Sequence, residues 1–172
     1  MKKLGIVVAI AMIGASFAVA SSLAIPWFMD AKVTAVGFPA DSGVPICLIY
    51  LKNNVLNDPE WPDGMVAEIR YFDEDGNDLG PEYPDNTFII PPGASVAFRP
   101  GAVDPNTEAG GQEGAVAVLI PTRPRPDWSP AGNGSIVISW QGGPTDIQGM
   151  VAQTGTGKGG PYSYAHLLPP GN

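Results

Sequence analysis

The chain has 172 residues, a formal net charge of -8, 44% hydrophobic residues, 22 glycines and 19 prolines. The acidic balance argues against nucleic acid and anionic membrane surfaces as partners, because both demand a basic face. A single histidine cannot build a histidine-rich metal site, and a single cysteine, Cys47, cannot form an internal disulfide.

Residues 4–29 carry no formal charge and follow Lys2 and Lys3. A basic start, an apolar run over residues 4–13 and the small-x-small triplet Ala18-Val19-Ala20 stand in the order of a secretory signal peptide. Residues 1–20 are therefore expected to form a signal helix cleaved after Ala20, and residues 21–172 a single exported domain. Two other readings use the same segment. Retained, it is long enough to span a bilayer, with Trp27 and Phe28 at the outer interface. Gly5, between the basic start and the apolar run, also resembles the processing site of type IV pilins. Ile10 stands where that pattern has a glutamate. No membrane span is expected once the leader is removed.

In the mature chain, Leu23, Ile25, Trp27 and Met29 alternate as one face of a half-buried strand, and Pro26 pushes it toward a sheet edge. Residues 44–51 are almost all apolar, as in a central strand covered on both faces, with Cys47 a small buried residue among them. Residues 53–64 read as a loop rich in turn dipeptides. Within it, Trp61 lies among Asp58, Pro59, Glu60 and Asp63. An indole with polar neighbours stacks on a sugar ring, anchors a protein partner or caps an open end of the core.

Met65, Ala67, Ile69 and Tyr71 alternate with Glu68 and Arg70, which predicts a strand with one wet face. Asp75-Gly76 then marks a turn. The cluster of Asp73, Asp75 and Asp78 offers hard oxygens at alternating positions, and calcium is the cation such a set would hold. The spacing departs from the helix-loop-helix calcium pattern, since Asp78 stands where a glycine is required and Pro84 where a glutamate is required. A solvated turn satisfies the same residues.

Residues 87–90, 95–99 and 115–120 read as further short strands, and residues 121–130, with four prolines, as an extended non-helical segment. Trp128 lies in that segment beside Asp127 and is the second exposed-aromatic candidate for ligand binding. Asn133-Gly134 reads as a turn. Residues 135–141 and 147–153, separated by Gly142-Gly143-Pro144, read as a hairpin with Trp140 facing the core. Gly155-Thr156-Gly157-Lys158-Gly159 lacks the first glycine and the hydroxyl residue of a phosphate loop and reads as a flexible loop. Residues 162–168 could supply a last strand.

Seven to nine short strands separated by turn signals predict an all-β, antiparallel β-sandwich of immunoglobulin-like or jelly-roll type with long Gly/Pro-rich loops. No nucleophile motif accompanies His166, and no catalytic set is apparent, so an enzyme is not expected. The sequence thus points to a non-enzymatic structural, adhesive or assembly component outside the cell, using self-association or protein partners. A secreted module binding glycan or calcium is the alternative, and a membrane-anchored or pilin-like subunit the third.

Overall fold

A computed structural model of the chain describes residues 20–29, 45–100, 113–114, 119–124 and 133–171. The expected leader, most of the strand expected at 115–120, and Trp128 lie outside the described residues. Those that are described form two antiparallel sheets and no helix. Eleven strands run in chain order as β1 (Ala20–Met29), β2 (Ile46–Asn53), β3 (Met65–Phe72), β4 (Asp78–Gly80), β5 (Thr87–Ile90), β6 (Ser95–Phe98), β7 (Glu113–Gly114), β8 (Asn133–Gln141), β9 (Ile147–Gly157), β10 (Gly160–Leu168) and β11 (Pro170–Gly171). The first sheet has the order β11-β1-β8-β3-β4, with β5 sharing the β3 edge with β4. The second has the order β10-β9-β2-β6-β7.

Alternation along the strands builds a sandwich-like core between the sheets. Met65, Ala67, Ile69 and Tyr71 of β3 and Ile136, Ile138 and Trp140 of β8 are all buried, as the period-two pattern predicts. They meet Cys47, Ile49 and Leu51 of β2, Val96 and Phe98 of β6 and Val151 of β9. Tyr71 is fully buried yet keeps its hydroxyl satisfied by donating to the Pro121 carbonyl at 2.7 Å. Its ring stands edge-on to Phe28 with centroids 6.4 Å apart. Gly149 lies against this core so closely that a Cβ there would sit 2.2 Å from Leu23 Cδ2.

Four expected features differ. The first strand does not alternate to its end, because its pairing with β8 shifts register between Ile25 and Phe28. The break around Pro26, which has no N–H to donate, turns Phe28 into the core and leaves Trp27 44% exposed. Second, β8 and β9 are not a hairpin: they belong to different sheets. Gly143 N–H donates to Asp146 Oδ2 at 2.6 Å, and Trp140 Nε1 donates to the Gly143 carbonyl at 2.9 Å. The link so formed lifts the chain from one sheet onto the other, and the two apolar faces meet instead of lying side by side. The true hairpin is β9–β10, where Gly157 pairs with Gly160 across Lys158-Gly159. The segment expected to be a flexible loop is thus strand and tight turn, with Gly160 at φ +108°. Asn133-Gly134 is likewise no turn, since both residues pair with β1.

Asn53, buried at the end of β2, ties the sheets together. Its Nδ2 donates to the Ile90 carbonyl at 2.9 Å and the Pro91 carbonyl at 3.2 Å, while its Oδ1 accepts from Val55 N–H at 2.9 Å. Asn53→Ala would leave the Ile90 carbonyl and the Val55 amide without these partners. We expect a loss of about 3 kcal/mol, and a fall in Tm of about 10 °C for a domain of this size. Thermal unfolding followed by circular dichroism checks this.

Candidate functional site

Four features of the described surface have the make-up of sites. The first surrounds Trp61. The loop after β2 begins at the Asn53–Val55 hydrogen bond, and Trp61 is held in it by Trp61 N–H to the Asp58 carbonyl at 3.1 Å and Gly64 N–H to the Trp61 carbonyl at 3.0 Å. The indole is half-buried and packs partly against the core, but it also walls a groove of about 250 Å³. The floor comes from the outer face of the first sheet, with Val66 and Glu68 of β3 beside Ser139 and Gln141 of β8. Glu68 and Ser139 are direct cross-strand partners. Trp61 thus both caps the core and lines a surface groove.

The second is the Asp73 turn between β3 and β4. Asp73 Oδ1 accepts from the backbone amides of Asp75 at 3.0 Å and Asn77 at 2.8 Å, and its Oδ2 accepts from Asn77 Nδ2 at 2.9 Å. These bonds, the Asn77 side chain foremost, hold the Asp73 carboxyl below its ordinary value of 3.8. Asp78 Oδ1 accepts from Gly80 N–H at 2.9 Å, and its Oδ2 pairs with the Arg70 guanidinium. Asp75 is exposed and its amide belongs to the turn. The Asp73 and Asp78 carboxylates are thus engaged in the hydrogen bonds of the turn and the ion pair with Arg70. Among the described residues no three His, Cys, Asp or Glu side chains converge as a cation set would. Five residues along a strand separate Glu68 from Asp73, about 17 Å, so the turn and the Trp61 groove are separate sites.

The third is a shallow apolar groove of about 370 Å³ on the outer face of the second sheet. Pairing of Ala97 with Tyr50, Tyr50 with Met150 and Met150 with Leu167 lays these four side chains in one transverse row across β6, β2, β9 and β10. Leu167 at the end of the row is 63% exposed.

The fourth is a flank. No Asp, Glu, Lys or Arg occurs in β1, β8, β9, β10 or β11. The outer edge of β10 pairs with no strand among the described residues, and β11 covers only Ser22 and Leu23 of β1. Tyr164 of β10 stacks on His166 with centroids 6.1 Å apart and donates its hydroxyl to Gln153 Oε1 at 2.9 Å. Burial, ahead of the neighbouring Cys47 and Tyr162, pushes its phenol above the usual 10.0, so it stays neutral and a donor. The acid of the chain lies elsewhere: ten of the 17 Asp and Glu residues fall between Asp58 and Asp85, around β3, β4 and β5.

Sequence reading singled out Trp61 and the aspartates but not Glu68, Ser139 or Gln141. Their signal exists only in the pairing of β3 with β8, strands more than sixty residues apart. No protein-family model matches the chain, and no curated protein or solved structure matches it. No helix among the described residues is long and apolar enough to cross a membrane.

Because the folded Asp73 pKa is depressed, its stabilisation is complete above the unfolded value near 3.8 and disappears as pH falls through the folded value. Asp73→Asn, which cannot titrate, is expected to lose less stability than wild type between pH 5 and strong acid, as read from Tm against pH.

Proposed function

We propose that this is an exported, non-enzymatic structural protein of the cell envelope or extracellular matrix, whose copies join through the uncharged flank. The observation that carries the reading is β10. It is a nine-residue edge strand with Tyr164 and Leu167 exposed and no charged gatekeeper in the strand. Sheet edges that stay monomeric are blunted by lysine, proline, bulges or a covering element. Here Lys158 lies in the turn before the strand and Pro161 is only its second residue, which leaves residues 162–168 of the edge without either device. The acidic loops at the opposite edge of the first sheet keep like charges away from this flank, so two copies can approach along it without repulsion. Antiparallel pairing of β10 with β10 of a second copy about a two-fold axis would continue the sheet across both.

Strand donation by β1 is disfavoured on energetic grounds. Leu23, Ile25 and Phe28 are fully buried in their own core, and withdrawing them forfeits about 6 kcal/mol. A domain holds only about 5–15 kcal/mol in total. Edge addition asks for no such sacrifice.

Strand order supports an immunoglobulin-like sandwich over a jelly roll. The order β1-β8-β3 in one sheet and β10-β9-β2 in the other repeats the B-E-D and G-F-C order of that fold, with β11 beside β1 where its first strand lies. Export is supported by the sequence order of a basic start, an apolar run and the small-x-small triplet Ala18-Val19-Ala20. Cleavage there leaves the strand from Ser21 onward. A membrane-anchored or pilin-like subunit would differ in keeping residues 4–29 as one segment.

Light scattering on the mature chain from micromolar to millimolar concentration is expected to show reversible association. Ser163→Lys with Ala165→Lys, two exposed β10 positions, is expected to return it to monomer with Tm changed by no more than about 2 °C. A wild type that stays monomeric throughout removes the assembly reading. Export is checked separately by intact mass and N-terminal sequence of the native protein from membranes and from culture fluid. A chain in the fluid beginning at Ser21 is expected, whereas one kept in membranes with residues 4–29 would make it an anchored subunit.

A further inference from the structure

The outer face of the first sheet carries an ordered row of hydrogen-bonding side chains. Ser22 of β1 pairs with Ser139 of β8, Ser139 with Glu68 of β3, and Glu68 with Thr87 of β5. Four strands therefore present hydroxyl, hydroxyl, carboxylate and hydroxyl in register, and all four residues are half-buried. At 4.8 Å per strand the row is about 14 Å long. One step along β3, Val66 pairs with Ile89 of β5, and both are exposed at 36% and 45%. Trp61 stands over the meeting point of the two rows and closes the groove in which Val66, Glu68, Ser139 and Gln141 are the floor.

We infer that this groove is a binding site for a neutral oligosaccharide, with one sugar ring against the Trp61 indole and its neighbours along the Ser22–Thr87 row. The chemistry selects that class. A pyranose offers an apolar C–H face to an aromatic wall and a rim of hydroxyls that donate and accept. The groove supplies an indole and Val66 for the first, and the Ser139 hydroxyl, the Glu68 carboxylate and the Gln141 amide for the second. A purely apolar ligand would strip water from Glu68 without replacing its hydrogen bonds. An anionic glycan or phosphate would meet Glu68 on a chain of net charge -8. Arg70, the one cation further along the same face of β3, is paired with Asp78 and does not offset that repulsion. Glu68 accepts from sugar hydroxyls without needing a positive partner, and such charge-assisted bonds are the stronger kind. The groove volume, smaller than the 300–1,000 Å³ typical of drug-sized ligands, fits one ring seated and the remainder lying across the sheet.

The site lies on the outer face of the first sheet, and the proposed assembly edge is β10 in the second sheet, so the two can be tested apart. The test uses the full mature chain against neutral gluco-, xylo- and manno-hexasaccharides, followed by titration calorimetry and tryptophan fluorescence. Binding of at least one series is expected, with a change in indole emission. Glu68→Gln and Ser139→Ala, both on the sheet surface, are each expected to weaken it about tenfold. Trp61→Ala is expected to abolish it. Trp27→Ala, which removes an exposed indole outside the groove, is expected to bind as wild type. Since Trp61 also packs against the core, the Glu68 and Ser139 variants decide the matter if Trp61→Ala unfolds. Absence of binding to all three series at millimolar sugar overturns the inference. So does binding unchanged in Glu68→Gln and Ser139→Ala, or binding only to anionic sugars or to peptides.

Discussion

Asn53 and Asn54, at the end of β2, hold two of the places where the chain passes between the two sheets. The Asn53 amide grips the Ile90 and Pro91 carbonyls, where β5 of one sheet gives way to β6 of the other. Asn54 N–H donates to the Asp146 carbonyl at 2.8 Å, and its side chain reaches the Thr145 carbonyl at 2.9 Å, where β8 gives way to β9. With one cysteine in the chain, no disulfide fixes the sheets to each other. Apolar packing is non-directional and tolerates sliding, whereas these short polar contacts have one geometry. They convert two stacked sheets into a defined sandwich-like body.

The surface inherits its layout from that constraint. The loop that leaves Asn53 carries Trp61 back over the first sheet, so the position of the indole above Glu68 and Ser139 depends on where β2 ends. The link fixed by Asn54 sends β9 into the second sheet beside β2, and β10 then becomes the outermost strand. The acidic loops around β3 and β4 fall on the other side of the first sheet. A charged margin and an uncharged margin result, and the two proposed activities occupy different surfaces: the open β10 edge and the outer face of the first sheet.

What could be read from residue order follows the range of the physics involved. Alternation is a local property, so β3 with its four inward residues and the burial of Trp140 were legible, and so was the continuous apolar run of β2. Turn chemistry is local as well, but it does not say to which sheet the chain returns. Gly142-Gly143-Pro144 looks the same in a hairpin and in a sheet-to-sheet link, and only the Asp146 carboxylate and the Trp140 indole decide between them. Lys158-Gly159 carries a weaker turn signal yet makes the tighter hairpin. Phe28 takes the place expected for Trp27 because a proline interrupts the pairing, a shift that depends on the partner strand. The candidate site shows the same division. Trp61 stood out by its composition, while Glu68 and Ser139 acquire meaning only as neighbours across β3 and β8.

The pairing of Ser22 with Gly171 brings the two ends of the described fold side by side. Mechanically, this gives the domain two very different strengths. A force pulling those ends apart meets only the short β1–β11 ladder and opens it one hydrogen bond at a time, leaving the rest of the sheet unloaded. A force entering at the β10 margin and leaving through the Asp73 turn must instead act on the packed core between them. Two copies joined at β10 would therefore carry tension through their interiors, while a tether at the ends would serve as the compliant element.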